Sequence, residues 1–423
     1  MNRLFYPTSP QEGLSIKILL LTAALFAVAL SPYGCKGGTK TPSAQIHNSL
    51  QDSLIAAQSV AADTVTISFI GDIMQHQMQI NAALAAGGGN SYNYDNAFRF
   101  MEKDFKAADY MVANMEFTVG IKPYSGYPLF SAPPEIAAAA KQSGIDLFLM
   151  ANNHIVDKFA KGLRSTIDRY NELGVATLGV YENREEAEQK SVLMMELKGM
   201  KFAFINYTYG TNGIEVPEPY YVNLQDSTEI KQNIARAREL GADMIIALPH
   251  WGEEYHLEPS AWQKRYAKLM FRNGVDAIIG SHPHVPEEAY IYTAPSSNAP
   301  EDFAQDSVKR VVFYSLGNYI SNITRTGYTL TGVFVSLKFT RDKLSQKVKM
   351  LMPDWKYLWC FTKGEYVEDF TVVPMAEFIG SEEFAAGGKT PLQQRAFQKM
   401  EATHKQLLQK DLVRVIREER VIK

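Results

Sequence analysis

The sequence predicts an α/β protein with a mixed sheet, and two features carry this prediction. Beyond residue 63, short apolar runs rich in β-branched and aromatic residues alternate with helix-prone stretches, which is typical of α/β folds. Several of these runs stop at a small cluster of Asp, Glu, Asn or His. Because ligands bind beyond the carboxyl ends of the strands in open α/β sheets, these clusters predict one functional site built from distant parts of the chain.

Composition narrows the class of protein and the kind of site. The chain has 423 residues, enough for one large or two ordinary domains, and a formal net charge of -3. Lysine and arginine are spread along the sequence without a basic stripe, which argues against a nucleic-acid partner. The two cysteines exclude a disulfide framework and a Cys-rich zinc module, so nitrogen and oxygen must hold any metal ion.

Residues 1–35 have the pattern of an export signal. Arg3 and Lys17 precede an apolar stretch over 18–30, which is shorter than the roughly 20 residues that span a bilayer. The segment ending at Cys35 resembles a bacterial lipoprotein signal; an uncleaved anchor and a cleaved, freely soluble form are the alternatives. We expect a protein of the cell envelope, anchored to the membrane outside the cytoplasm through a lipidated Cys35 or through the N-terminal segment.

The rest of the chain divides into three predicted parts. Residues 36–63 are rich in Gly, Thr, Ser, Ala and Gln without an apolar period, which predicts a flexible linker. A folded domain is expected over 64–378 and a helical extension over 379–423. Within that extension, the charged and helix-prone sequence from 393 to 419 predicts an amphipathic helix packed on the domain.

The first half of the predicted domain alternates strands with helices. The run 65–70 is rich in β-branched and aromatic side chains and delivers Asp72 at its end. Two apolar runs flank Lys198 and Gly199, the signature of a hairpin in a mixed sheet. The predicted elements are strands at 65–70, 110–114, 145–151, 192–197 and 201–206, and helices at 95–107, 135–142 and 162–173.

The second half continues this alternation and then changes. Two helix–strand units are followed by strands that look antiparallel, and Cys360 in the aromatic run 355–361 is predicted to be a small buried apolar residue. The predicted elements are helices at 226–240 and 260–273, and strands at 244–248, 276–279, 311–316, 332–339, 348–352 and 366–373.

Four of the eight histidines follow predicted strands: His154, His250, His282 and His284. His282 and His284 leave one strand end together and are placed to reach adjacent metal positions. An isolated His-x-His is more often a surface or structural pair, but the shared location of the four histidines favours metal. His250, directly after the run 245–249, is the natural third nitrogen ligand.

Two carboxylates complete this pattern. Asp72 follows a strand and Gly71, which lets the backbone turn sharply; its alternative role is a helix N-cap. Glu116 ends a buried strand, where an unpaired carboxylate would be costly, and a metal ion or an ion pair would relieve that cost.

The sequence Asn152-Asn153-His154 offers both a ligand and a proton donor. An Asn side-chain carbonyl in this tract is a candidate neutral ligand for a divalent ion, while the neighbouring His154 is placed to act as a general acid. Asp157 lies three residues on and is placed to orient that imidazole and keep it protonated. The alternative is a simple turn with Asn in a left-handed conformation.

Other polar residues near these motifs have less defined roles. His76 lies four residues beyond Asp72 and is a candidate neighbour or ligand on the same face. Glu253, Glu254 and Tyr255 either support the ligands by hydrogen bonds or form a polar rim. His256 and His404 lack the strand-end context and are treated as ordinary.

Together these motifs resemble, in order, those of the CapA family of capsule and poly-γ-glutamate synthesis proteins. The resemblance covers about residues 64–340 and rests on the segments 71–74, 114–116, 124–133, 151–154, 250–255, 280–285 and 315–319. It implies the fold of the calcineurin-like metallophosphoesterases, a four-layer α/β/β/α sandwich with mixed sheets and a dinuclear metal site at strand ends.

The resemblance also implies roles for individual residues. Glu116 takes the place of the bridging carboxylate, and His154 takes the proton-donating position. Two features depart from the implied patterns: Met74 stands where the metallophosphoesterase Asp-x-His motif has its histidine, and the glycine that the family usually has soon after Asp157 is delayed to Gly162. The implied metal ligands are Asp72, Glu116, Asn153, His250, His282 and His284.

The expected function is that of a membrane-tethered hydrolase in the biosynthesis or processing of a capsule or poly-γ-glutamate, an anionic polymer. Two divalent ions, Mn, Fe or Zn, would hold a hydroxide that attacks phosphorus or an amide carbonyl while His154 protonates the leaving group. The Tyr-rich segments 123–134 and 207–221 are candidate walls of a substrate groove, or stiff loops covering the sheet. The alternative function is a non-catalytic anchored subunit that binds the polymer or assembles with membrane capsule-synthesis subunits.

Overall fold

The computed structural model describes residues 64–293, 308–342 and 345–417. The predicted anchor segment 1–35 with Cys35 and the predicted linker 36–63 lie outside these residues. Within the described ranges, no helix combines the length and the apolar character needed to cross a membrane.

The strands are numbered β1 to β20 along the described chain. They are β1 (Thr64–Ile73), β2 (Tyr110–Met115), β3 (Thr118–Val119), β4 (Ser131–Ala132), β5 (Leu147–Leu149), β6 (Ala176–Leu178), β7 (Val180–Tyr181), β8 (Leu193–Leu197), β9 (Met200–Thr208), β10 (Tyr221–Val222), β11 (Met244–His250), β12 (Ala277–Ile279), β13 (Ala289–Thr293), β14 (Val308–Phe313), β15 (Asn318–Ile320), β16 (Thr331–Arg341), β17 (Val348–Met350), β18 (Asp354–Phe361), β19 (Thr371–Pro374) and β20 (Val413–Arg417).

The helices are numbered α1 to α11 in the same way, and a 3-10 turn lies at Tyr328–Leu330. They are α1 (Gln77–Ala86), α2 (Asp95–Phe98), α3 (Glu102–Ala107), α4 (Glu135–Gln142), α5 (Phe159–Leu173), α6 (Arg184–Lys190), α7 (Ser227–Glu239), α8 (Ala261–Asn273), α9 (Met375–Ile379), α10 (Glu382–Ala386) and α11 (Pro391–Lys410).

One large sheet carries most of the strands and contains two parallel blocks. The order β6-β5-β2-β1 forms the first block and β14-β12-β11-β9 the second, with the antiparallel strands β16 and β17 between them. Since strands within each block run in the same direction, their carboxyl ends gather at common edges. The predicted hairpin is confirmed: β8 and β9 pair antiparallel around Lys198 and Gly199.

The two blocks face each other across a shared apolar core. Alternate residues of β1, β2 and β5 belong to the same buried cluster as alternate residues of β9, β11 and β12, as expected when side chains alternate between the faces of a strand. The rings of Tyr110 and Phe204, from opposite blocks, have centroids 5.6 Å apart, and those of Phe202 and Phe339 are 4.9 Å apart.

The outer faces of the blocks are covered by helices. Helices α4 and α5 pack in one outer cluster with β2 and β5, whereas α7 and α8 pack in a second cluster with β9 and β11. The layers therefore run helix, sheet, sheet, helix, and the predicted α/β class with a four-layer sandwich and mixed sheets is confirmed.

Several predicted element bounds were wrong. The predicted helix 95–107 is broken into α2 and α3 by a turn at 99–101. The predicted strand 366–373 is confined to Thr371–Pro374, and the aromatic run 355–361 is the missed strand β18. Cys360 is buried within β18, as predicted.

The predicted C-terminal helix was also wrong beyond residue 410. Helix α11 stops where Asp411 adopts a left-handed conformation, with φ of 48°, and the chain then forms β20. Strand β20 pairs parallel with β13, while Phe397, Met400 and Leu407 of α11 join the central core. The end of the described chain is therefore part of the main sheet and its core.

Candidate metal centre

The end of β1 is held against the segment before β15 by the backbone. The Asp72 amide donates to the Gly317 carbonyl over 2.9 Å. A Cβ at Gly71 would lie 1.8 Å from that carbonyl oxygen, so only glycine permits this approach. Asp72 is consequently paired in register with Asn318 on one side and Asn114 on the other.

Glu116 forms the floor of the site. It follows β2 directly and is fully buried. Its Oε1 lies 3.7 Å from His250 Nε2 and 3.6 Å from His284 Nε2. Among the described residues, this oxygen has no hydrogen-bond partner. A buried carboxylate oxygen without a partner, aimed between two imidazoles, is the environment expected of a metal ligand.

A first group of ligand atoms is formed by Glu116, His250 and His282. These atoms lie within 4.8 Å of one another, and His250 Nε2 is 2.7 Å from Asn153 Oδ1. The His250 and His282 rings have centroids 4.8 Å apart. Two imidazoles, a carboxylate and an amide oxygen therefore face one point, as in four-coordinate sites for zinc and related ions.

A second group shares Glu116 with the first and adds Asp72 and His284. Its ligand atoms also lie within 4.8 Å of one another, and His284 Nδ1 is 3.2 Å from Asp72 Oδ2. Met74, at the position of the missing histidine, is buried and offers only a thioether. The structure thus brings together all six residues predicted as ligands, in two groups joined at Glu116.

The loop that carries the two histidines has an unusual backbone. His282 and His284 both adopt positive φ, of 100° and 58°, which is costly for residues other than glycine and is seen mostly at functional sites. The loop is fixed by hydrogen bonds to its neighbour: the Trp251 amide donates to Ser281 O over 3.0 Å, and the Tyr255 amide donates to Pro283 O over 2.8 Å.

Burial shifts the pKa of three of the ligand candidates: Glu116, His250 and His282. It raises the pKa of Glu116 well above its usual range, and the nearby Asp72 carboxylate raises it further. Burial lowers the pKa of His250 and of His282, and the neighbouring histidines lower both further. The imidazoles of His250 and His282 are therefore neutral at pH 7, the form that binds a metal ion. The donor set fits a divalent cation, which would replace the proton on Glu116.

His154 and Asp157 form a separate pair beside these groups. His154 Nδ1 is 2.8 Å from Asp157 Oδ2, and the same oxygen accepts a hydrogen bond from the Phe130 amide over 2.7 Å. The Phe130 ring meets the His154 ring edge-on, with centroids 4.6 Å apart. Burial raises the pKa of Asp157, while its hydrogen bond with His154 opposes this effect. The imidazole is therefore held by one nitrogen.

The sequence did not predict the polar residues that hold the ligands in place. Asn114 Nδ2 donates to Asp72 Oδ1 over 2.8 Å, Ser281 Oγ lies 2.9 Å from His250 Nδ1, and Asn318 Oδ1 lies 3.1 Å from His284 Nδ1. Such partners fix the orientation of a ligand ring. In the sequence, the only indication of this role was that each residue lies within one of the strand-end motifs.

His76 lies near the site but outside both ligand groups. Burial lowers its pKa to about 4, its Nδ1 is 3.1 Å from Gln79 Oε1, and its ring packs edge-on against Phe130 at 5.2 Å. Gly162, the delayed glycine, lies in the first turn of α5, where a Cβ would be 3.1 Å from the Thr118 side chain. His76 thus belongs to the surroundings of the site, whereas Gly162 allows α5 to pack closely against Thr118.

A cleft of about 430 Å³ opens beside the ligands. The predicted wall 123–134 contributes Tyr127 to this cleft. The predicted wall 207–221 contributes none of the described residues that line it, although the Tyr209 and His282 rings have centroids 4.6 Å apart. The residues that line the cleft are Met74, His76, Tyr127, His154, Glu254, Tyr255, His284, Asn322, Ile323, Thr324 and Arg325.

The sandwich and the strand-end donor groups define a four-layer α/β protein with a candidate metal site at its strand ends. Within that class, the family model described as bacterial capsule synthesis protein PGA_cap matches residues 66–323. The chain therefore belongs to the PGA_cap family of bacterial capsule synthesis proteins.

Two relatives show how far the similarity extends. The Capsule biosynthesis protein CapA of Bacillus anthracis is 29% identical over 272 residues, which cover 61% of this chain and 60% of that protein. The PGA biosynthesis protein CapA of Bacillus subtilis (strain 168) is 25% identical over 263 residues, covering 61% of this chain and 63% of that protein. The chain thus spans about three fifths of the length of these relatives.

Solved structures match at low identity. The calcineurin-like phosphoesterase YfkN from Bacillus subtilis has a TM-score of 0.38 and 14% identity, covering 82% of this chain and 99% of that chain. The NAD nucleotidase of Haemophilus influenzae has a TM-score of 0.40 and 11% identity, covering 84% of this chain and 57% of that chain.

Proposed function

We propose that the protein is a metal-dependent hydrolase that acts on an anionic polymer, such as poly-γ-glutamate, during capsule biosynthesis. The observation that carries this proposal is the pair of ligand groups joined at the buried Glu116, with His154 beside them. A site that only stabilised the fold would have no need of an oriented histidine next to the ligands and open to a cleft.

The ligand groups and His154 have complementary roles in this proposal. Two divalent ions held by the six ligands would polarise the scissile group and lower the pKa of a water molecule. His154 would give a proton to the leaving group, since Asp157 fixes its Nδ1 and the imidazole lines the cleft. Burial of the ligands excludes bulk water from the floor of the site, which strengthens its electrostatic interactions.

The cleft also offers a cation for an anionic substrate. Arg325 is exposed, and its guanidinium carbon lies 4.1 Å above the centre of the Tyr255 ring. It forms no ion pair with another described residue and is the only Arg or Lys among the residues that line this cleft. A carboxylate of the polymer would pair with Arg325, because guanidinium groups bind carboxylates in a two-point fork.

The location and partners of the protein follow from the same proposal. We place it in the cell envelope, tethered outside the cytoplasm through a lipidated Cys35 or the N-terminal segment, where a capsular polymer would be processed. Support comes from the sequence pattern of residues 1–35 and from membership of a capsule synthesis family. Membrane capsule-synthesis subunits are the proposed protein partners.

Activity and metal content of the full chain test the proposal together. Purified protein should contain divalent metal and hydrolyse either bis(p-nitrophenyl) phosphate or γ-linked glutamate oligomers, and the preferred substrate identifies phosphoester or amide chemistry. His154→Ala should lower kcat by about 100-fold or more with metal content unchanged. Equal activity of this variant would remove His154 from the reaction. Metal-loaded protein that binds the oligomers and cleaves neither substrate would identify a polymer-binding subunit instead.

A further inference from the structure

The two ligand groups are unequal in the number of donors they bring together. The group of Glu116, His250 and His282 gains a fourth donor from Asn153, whose Oδ1 is 2.7 Å from His250 Nε2. The group of Asp72, Glu116 and His284 has three, and the nearby Met74 adds no nitrogen or oxygen. Asn318 Oδ1, 3.1 Å from His284 Nδ1, is the hydrogen-bond partner of that ring. The second position therefore has no fourth protein donor of its own, where the first position has Asn153.

We propose that the Glu254 carboxylate is this missing donor and binds the ion held by Asp72, Glu116 and His284. This inference rests on the proposed function, because it assumes that the site binds metal. A carboxylate oxygen of Glu254 lies within 4.8 Å of ligand nitrogens of both His282 and His284. Glu254 also lines the cleft together with His284, so it approaches the second position from the solvent side.

The backbone explains how a residue just after β11 reaches that position. Gly252 and Tyr255 adopt positive φ, of 103° and 70°, and these turns fold the loop 252–255 back over the His-Pro-His loop. The Tyr255 amide donates to Pro283 O over 2.8 Å, which fastens the two loops together next to Glu254. A strained, non-glycine left-handed residue at this point is consistent with a functional constraint on the loop.

The neighbouring carboxylate serves as a matched control. Glu253 is exposed like Glu254, but its carboxylate pairs with His256, at 4.0 Å, and it belongs to neither ligand group nor the cleft lining. The two residues therefore carry the same charge on the same loop with different surroundings. A general electrostatic effect of the loop would be lost equally in both variants, whereas direct ligation depends on Glu254 alone.

Exposure of Glu254 has a consequence for how the two ions are held. Glu116 and the histidines are buried, whereas Glu254 is on the solvent side of the site. The ion bound with Glu254 should consequently be the weaker and more exchangeable of the two. Loss of this one carboxylate should empty the second position while leaving the first position filled.

Metal titration of the full chain tests the inference without reference to activity. Metal-free protein is titrated with Mn²⁺ and its bound stoichiometry measured by elemental analysis and by electron paramagnetic resonance, where a coupled pair differs from a single ion. Wild type and Glu253→Gln should each bind two ions, and the affinity for the second ion should be the same in both proteins. Glu254→Gln should bind one ion, or the second at least 10-fold more weakly, and should lose the coupled signal.

A second variant guards against an indirect effect of the substitution. Met74→His in the Glu254→Gln background supplies an imidazole two residues from Asp72 and should restore two-ion binding. Two ions bound equally by wild type and Glu254→Gln would overturn the Glu254 inference alone. A wild-type chain that binds no Mn²⁺, Zn²⁺ or Fe²⁺ would overturn the proposed function as well, so the two failures are distinguishable.

Discussion

At the scale of single residues, the site depends on side chains that hold other side chains. Asp157 accepts hydrogen bonds at the same oxygen from the Phe130 amide and from His154 Nδ1, so the carboxylate connects the loop backbone to the imidazole. Three other polar side chains form hydrogen bonds with ligand candidates: Asn114 with Asp72, Ser281 with His250, and Asn318 with His284. Orientation of the ligand candidates and of His154 therefore depends on hydrogen bonds from residues outside the two ligand groups.

Replacing Asp157 by Asn tests this dependence. The amide keeps the size of the side chain but removes the charge that stabilises a protonated His154, so we expect kcat to fall by about 10- to 100-fold. KM and metal content should change little, because Asp157 acts through His154 and belongs to neither ligand group. Asp168→Asn, which changes a partly exposed carboxylate on α5, is the control and should leave kcat unchanged. An unaltered kcat for Asp157→Asn would separate Asp157 from His154.

The stability of the fold should depend on pH through Glu287, a buried carboxylate that is not among the ligand candidates. It is buried, and its Oε2 accepts a hydrogen bond from Gln263 over 2.6 Å. Burial raises its pKa to about 8 from 4.5. Below pH 4.5 the group is protonated in both states. Between pH 4.5 and 8 the unfolded chain releases the proton while the folded chain keeps it, so the free energy of unfolding should fall as pH rises.

The slope from this one group is at most about 1.4 kcal/mol per pH unit. Glu287→Gln keeps an acceptor for Gln263 and removes the titration, so its unfolding free energy should vary less across this window. Urea unfolding at a series of pH values measures the difference, with the exposed Glu258→Gln as control. Equal slopes for wild type and Glu287→Gln would contradict the prediction.

Side-chain chemistry at strand ends was enough to find the six ligand candidates and the His154–Asp157 pair from the sequence. Carboxylates and imidazoles are uncommon at the ends of buried strands, so each one carried information. Asn114, Ser281 and Asn318 could not be found in this way, because amides and hydroxyls are common where strands turn. The sequence did not decide whether Glu254 supports the ligands by hydrogen bonds or belongs to a polar rim. The direction of its side chain depends on the left-handed turns at Gly252 and Tyr255.

At the scale of elements, the close approach of β1 to the segment before β15 places Asp72. The strand passes so near the Gly317 carbonyl that Gly71 has no room for a side chain. The same contact provides the Asp72 amide with its hydrogen bond. One glycine therefore couples the pairing of two strands to the position of a ligand candidate.

Gly71→Ala should consequently be strongly destabilising. The new methyl group would force apart two backbones rather than displace a flexible side chain, so we expect a loss of about 3 kcal/mol or more in unfolding free energy. Gly210→Ala is the matched control, because a Cβ there would have no atom within 4 Å, and it should change stability little. Thermal or urea unfolding of the two variants measures the difference; similar midpoints would show that the strands can separate without cost.

Local sequence predicted some elements and failed for others for identifiable reasons. The runs that form β1, β2 and β11 are buried along their whole length or nearly so, and such apolar runs are easily recognised. Helix α1 was missed because its apolar and polar residues are not separated onto opposite faces. Strand β20 was assigned to the preceding helix, since the left-handed Asp411 that ends α11 leaves no clear breaker in the sequence.

At the scale of the whole molecule, the site joins the two halves of the sandwich. Asp72 and Glu116 come from the block of β1 and β2, whereas His250 and His282 come from the block of β11 and β12. Ions held between these groups would cross-link the blocks at their carboxyl edges. The sequence could indicate this arrangement only through the family resemblance, because no local pattern reveals that two parallel blocks face each other.

Metal should therefore raise the stability of the entire domain. A ligand that binds only the folded chain adds about 2.7 kcal/mol at 100 times its dissociation constant. Thermal unfolding of chelator-treated protein should show a higher midpoint after Mn²⁺ or Zn²⁺ is added. The gain should be much smaller for His282→Ala, which removes a ligand, and unchanged for His256→Ala, an exposed histidine on a nearby loop. Equal gains in all three proteins would indicate metal binding elsewhere.

Main-chain hydrogen bonds join the loops at 251–255 and 281–283, and strand pairing fixes the register of Asp72. The backbone shape of the metal centre therefore does not depend on which side chains supply the donor atoms. Replacing a single donor should leave that backbone shape unchanged. Preference among transition ions can then drift by replacing one oxygen or nitrogen at a time, with no change in architecture. Related proteins with this backbone arrangement are expected to keep the same site geometry while favouring different ions.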